Sequence, residues 1–135
     1  MLRFHARRFW SGAAAVFVGL AIGTTMASAE SSTSRGQISV AQAMVILDTA
    51  ATNPAARQTL VAYLAGTGET AGWLLDAAAD QGLLRHSCAR RLSLDDKSAR
   101  QALAGTAPGL AAETAATPLI VADMLKRAGC RLTAR

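Results

Sequence analysis

Only two cysteines occur in this 135-residue chain, Cys88 and Cys130, and the first stands in an unusually basic stretch. Arg85, His86, Arg90 and Arg91 put four potentially cationic side chains within seven positions. Residues of these types serve three chemistries: a thiolate nucleophile with a histidine base, a metal site, or a disulfide beside a basic contact surface. The first needs a free thiolate. The second needs more ligands than two thiols and His86, and no CxxC pair is present. Asp76 and Asp80 are four apart and share a helix face, a spacing open to paired metal ligands or acid–base carboxylates but commoner on a solvated face. Asp95 and Asp96 read as a helix start. His86 adjoins Ser87 in sequence, and adjacency alone gives no reason to pair them. With no phosphate-cradling glycine loop and no triad pattern, the chain is read as a non-enzyme without metal or cofactor.

The choice among these chemistries depends on the compartment, so the N-terminus comes next. Arg3, Arg7 and Arg8 precede an apolar run from Ala13 to Gly23, followed by the small-residue site Ala27-Ser28-Ala29. This is a signal-peptide pattern, with an apolar run short for a bilayer span. It implies a leader over residues 1–29, cleavage after Ala29, a flexible lead-in over 30–37 and one domain over 38–135 in the periplasm. Arg7-Arg8 leaves the export route open between general secretion and the twin-arginine pathway. In an oxidising compartment two cysteines form one disulfide, so Cys88 and Cys130 are assigned to each other. Closing a loop of this length is worth about 4 kcal/mol by the chain-entropy estimate.

The leader also carries three of the fourteen basic residues, which leaves eleven against nine acidic. A net charge near +2 is no footprint for nucleic acid. The remaining aromatics, Tyr63 and Trp73, make no base-stacking surface.

The positioning elements follow from helical periodicity. Ser39 with Gln42 three residues on has capping-box spacing, and Val40, Ala43, Met44, Leu47 and Ala51 form an apolar stripe. Asn53-Pro54 caps a second helix running to about Gln81 and closed by Gly82. Leu60, Leu64, Ala71, Leu75 and Ala78 give its apolar face, and a bend is expected at Gly66-Thr67-Gly68. Ser93 is expected to open a third helix that fades near Gly105 or Pro108, with a helical portion at Ala111–Ala115 beyond it. Thr117-Pro118 opens a fourth, with Val121, Met124, Leu125 and Ala128 facing inward and Gly129 ending it just before Cys130. No strand pattern stands out. The fold class is therefore all-α, a small bundle of about four helices with one disulfide.

The stretch V-A-Y-L-A-G-T-G-E-T, Val61 to Thr70, resembles the Y-L-x-G helix of the Rap/Tai-type immunity proteins. The resemblance continues through Cys88 about twenty residues on, the Leu92-Ser93-Leu94 helix start, Ala107-Pro108, and a last helix ending in Cys130. It covers Val40 to Cys130. It departs from the family at Cys88-Ala89-Arg90, where Cys-x-Pro is common, and at Ala128-Gly129-Cys130, where Phe-Pro-Cys is common.

What the resemblance implies is a small helical periplasmic inhibitor of a peptidoglycan amidase effector delivered by type VI secretion, often dimeric, blocking the effector's catalytic cleft. A pre-organised protrusion suits that task, because rigidity reduces the ordering cost of binding. On this reading Arg85, His86, Arg90 and Arg91 are the partner-binding candidates, with the weakly charged Ala104–Thr117 segment second. No inhibitory residue carries over from the family itself. Two alternatives stay open: a periplasmic acid-stress chaperone of the HdeA kind, and an orphan helical binding domain.

Overall fold

The computed structural model describes residues 32–134; the leader and its cleavage site lie outside the described residues. Four helices carry the fold: α1 (Val40–Thr49), α2 (Pro54–Asp80), α3 (Asp96–Leu103) and α4 (Ala116–Arg127), with a 3₁₀ turn at Pro108–Leu110. Contrary to the sequence expectation, two short strands are also present, β1 (Leu84–Ser87) and β2 (Arg131–Ala134). They pair antiparallel, with Leu84 opposite Ala134 and Ser87 opposite Arg131. Four-residue strands so far apart in sequence leave little periodic signal. They pair because the two helices feeding them end in the same place.

Those helix ends share one device. Gly82 after α2 and Gly129 after α4 both take positive φ, 72° and 65°. The N–H groups of Gly129 and Cys130 turn back to the carbonyls of Lys126 and Leu125, and those of Gly82 and Leu83 to Ala79 and Ala78. These are Schellman closures, in which glycine avoids the Cβ penalty and the orphan carbonyls are satisfied. Each closure sends the chain straight into a strand.

The helix starts are less uniform. Ser39 caps α1 by accepting the Gln42 N–H at 3.0 Å. The reciprocal half of the capping box is missing, since the Gln42 side-chain oxygen is buried without a partner. Instead the Val40 and Ala41 N–H groups donate to the carbonyls of Thr114 and Ala111, docking α1 on the chain that leads into α4. Asn53 caps α2 through Ala55 and Ala56, with Pro54 at the first position. For α3 the cap is Asp95, not Ser93: its carboxylate accepts the Ser98 N–H at 2.7 Å. The start of α4 has no side-chain cap, and Thr117 lies inside the helix. Residues 33–37, expected to be flexible, form a hydrogen-bonded turn with Thr33 buried and Ser34 N–H on Glu113.

The core is built around α4, where Ala116, Ile120 and Met124 are at most 1 % exposed. Packed against them are Val40, Ala43 and Leu47 of α1, Leu60 and Leu64 of α2, and Ala99 and Leu103 of α3. Ile120, not Val121 or Leu125, is the inward residue; those two are only half-buried. Likewise Ala50 is buried and Ala51 exposed. α2 is unbroken through Gly66-Thr67-Gly68. The expected helical portion at Ala111–Ala115 is a turn and bend ending in a bridge between Ala115 and Ser39, not helix.

Candidate functional site at the disulfide edge

Cys88 and Cys130 are bonded, with Cα atoms 4.0 Å apart and a sequence separation of 42. They continue the β1–β2 register by one step beyond the Ser87–Arg131 pair. Next, Ala89 and Arg90 both donate their N–H groups to the Ala128 carbonyl, at 2.9 and 3.2 Å. The edge is thus held by a ladder, a covalent bond and a bifurcated acceptor in succession. Leu92 then rests on α2 at Gly68, where a Cβ would collide with the Leu92 carbonyl. The connection that carries Arg90 and Arg91 is therefore fixed at both ends.

Arg85 sits on β1, and Arg90 and Arg91 on the connection; all three are exposed. Arg131, which the sequence reading passed over, lies opposite Ser87 on β2 and is exposed as well. Among the described residues none of these four has a carboxylate within 4.0 Å; the recorded pairs are His86–Asp76, Arg100–Asp48 and Arg127–Asp123. Two hollows flank the disulfide. One, of about 550 Å³, is lined by Arg85, His86, Ser87, Arg131, Leu132 and Thr133. The other, of about 730 Å³, is lined by Arg90, Arg91, Ser93, Leu94, Asp95, Ser98, Arg127 and Ala128. Asp95 in the second hollow is held ionised below the usual carboxylate range, first by the Ser98 N–H, with Arg127 and Lys97 adding to it. Arg127 is occupied by Asp123 and Gln101.

His86 differs from its neighbours. Its Nε2 meets Asp76 at 3.0 Å, tying β1 to α2. Its Nδ1 is buried without a partner. Ser87, the next strand residue, points to the opposite face from His86 and so is not aligned with the Asp–His pair. Asp76 and Asp80, expected to share a face, are both exposed, and only Asp76 has a partner among the described residues. Among the described residues no three His, Cys, Asp or Glu side chains come together as a metal site. No helix there is long and apolar enough to cross a membrane.

Arg131 had a signal of sorts, being the residue after Cys130, but only the strand register puts it beside Arg85. Searches of protein families, curated proteins and solved structures give no match for this chain.

Proposed function

We propose that this protein is an exported immunity-type inhibitor of the Rap/Tai kind, which binds a type VI secreted peptidoglycan amidase and blocks its cleft with the disulfide edge. The observation that carries the reading is a disulfide-braced edge presenting arginines with no carboxylate within 4.0 Å among the described residues. Side chains left unpaired in the free protein are available to a partner's acidic rim. An edge braced by the disulfide and the Gly68–Leu92 contact loses little conformational freedom on docking. Arginine suits the task because its planar fork grips carboxylates bidentately. On this reading Arg85, Arg90 and Arg91 make the contact, Arg131 joins them, and His86 braces the strand beneath. Residence in the periplasm and pairing into homodimers belong to the same proposal.

The test is a pulldown of the oxidised protein against periplasmic amidase effectors encoded beside it, scored by loss of amidase activity. Tight 1:1 or 2:2 binding with inhibition supports the reading. No binding and no inhibition across those effectors would remove it.

A further inference from the structure

Away from the disulfide edge, α2 and α4 enclose a groove of about 630 Å³. Among the described residues no charged one lines it. Its lining runs along α2 from Ala62 to Leu75, about 20 Å at the rise of an α-helix. Tyr63 meets Thr117, and Gly68 lies against Met124, so the two helices run in the same sense. The groove is therefore polarised. At one end the Tyr63 hydroxyl and Thr117 Oγ1 are hydrogen-bonded at 2.9 Å. Thr67 and Thr70 lie along its middle, and the other end is formed by the hydrocarbon side chains of Leu74, Leu75 and Leu125. Leu74 is 54 % exposed there, a bulky apolar residue left in water.

We propose that this groove binds a free single-chain acyl amphiphile, its hydrocarbon chain between Leu74 and Leu125 and its carboxyl head at the Tyr63–Thr117 hydroxyls. The lining chooses the class. An uncharged wall favours a hydrocarbon body, and a carboxyl head belongs at the end where the Tyr63–Thr117 pair can donate to it. The hydroxyl pair uses only one of its two O–H groups internally, which leaves one to donate to an acceptor on the ligand. An extended peptide fits less well, since the walls are helix side chains and offer its backbone no ladder. The volume lies within the usual range for small-molecule sites, about 300–1,000 Å³. This inference is independent of the amidase-inhibitor reading.

The experiment is displacement of the neutral dye 1-N-phenylnaphthylamine by dodecanoate on the full protein, with oligomeric state followed in parallel. One dye per chain, displaced by dodecanoate, is expected. Gly66→Leu extends a side chain from the groove lining at a position whose Cβ meets nothing within 4 Å, and helical circular dichroism checks that the variant folds. That variant should lose both ligands. Tyr63→Phe should weaken dodecanoate about tenfold while leaving the dye unchanged, as expected for one lost hydrogen bond to a charged head. No dye uptake, or equal dodecanoate affinity in Gly66→Leu, would overturn the proposal. So would dye uptake that vanishes as the chain self-associates, which would make a second copy the occupant.

Discussion

Gly68 in the middle of α2 lies against the main-chain carbonyl of Leu92, and a β-carbon at position 68 would overlap that oxygen and touch the Met124 sulfur at 3.6 Å. One glycine thus lets three parts of the chain converge: α2, the connection that carries Arg90 and Arg91, and α4. The neighbour atom that matters is backbone, so it cannot move aside as a side chain would.

Gly68→Ala should therefore destabilise the protein by about 1–3 kcal/mol, the range for overpacking a well-filled site. Gly66→Ala should do the reverse, since its Cβ would meet nothing within 4 Å. There the higher helix propensity of alanine should add about 0.5–1 kcal/mol. Urea melts of the two variants should shift in opposite directions. A shift in the same direction would mean that the close approach is not what glycine serves.

Removal of the Cys88–Cys130 bond should cost about 4 kcal/mol, because the loop it closes in the unfolded chain is long. The loss should be uneven. β2 is exposed throughout and pairs only with β1, whereas Ile120 and Met124 stay buried in the helical core. In the Cys88→Ser, Cys130→Ser double variant, amide exchange should rise first at Arg85–Ser87 and Arg131–Thr133. Helical circular dichroism should persist at low denaturant.

Some of this was legible from local chemistry alone. Ser39, Asn53-Pro54, Gly82 and Gly129 mark helix ends through their own backbone and side-chain preferences, and the structure uses each of them there. The cysteine pairing was expected from a leader-like N-terminus that lies outside the described residues, and the bond itself is present. What was not legible depends on partners distant in sequence. Asp95 rather than Ser93 caps α3, and the chain just before it is held by Leu92 against Gly68, a contact between residues 24 apart in sequence. Thr117 reads as a cap but spends its hydroxyl on Tyr63, 54 positions away. Val121 and Leu125 match the helical period as well as Ile120 does, yet they line the open groove with α2. The β1–β2 ladder arises from two helix closures that happen to deliver their chains side by side. Arg131 joined the candidate site only through that register.

The Tyr63–Thr117 bond predicts an alkaline signature. Burial holds the Tyr63 phenol above its ordinary value, and the bond to Thr117 offsets this only in part. In the unfolded chain the phenol ionises first, so the folded state binds more protons there. Stability from this group is intact below the ordinary tyrosine range and falls as pH rises through the folded value. Tyr63→Phe should flatten the loss of stability above about pH 10, read by urea midpoints against pH. At neutral pH it should cost about 1 kcal/mol for the lost bond.

Charge reversal at the edge should separate contact from stability. Arg90 and Arg91 are exposed and have no carboxylate within 4.0 Å among the described residues, so Arg90→Glu, Arg91→Glu should change stability by less than about 0.5 kcal/mol. Association with an acidic partner should slow and its dependence on salt should weaken, as steering by opposite charge is lost. Stopped-flow binding at two ionic strengths reads both effects. An unchanged on-rate would place the contact elsewhere on the molecule.

Acid should act through two exposed carboxylates. Asp95 is held below its ordinary value chiefly by the Ser98 N–H, and Glu113 by the N–H of Ser34. Both are therefore charged in the fold at pH values where the unfolded chain has begun to take up protons. Their contribution is present above the ordinary carboxylate range and is lost as pH falls through the lower folded values. Asp95→Asn keeps a capping oxygen but no titration, so its stability should vary less between about pH 5 and pH 2. Glu113→Gln should behave likewise and should loosen the turn at residues 33–37 that Glu113 anchors. The same window separates two functional readings. A cleft-blocking inhibitor should lose partner binding as these bonds are protonated away. A chaperone would suppress client aggregation more strongly over that interval, and parallel assays on the wild type and Asp95→Asn would tell them apart.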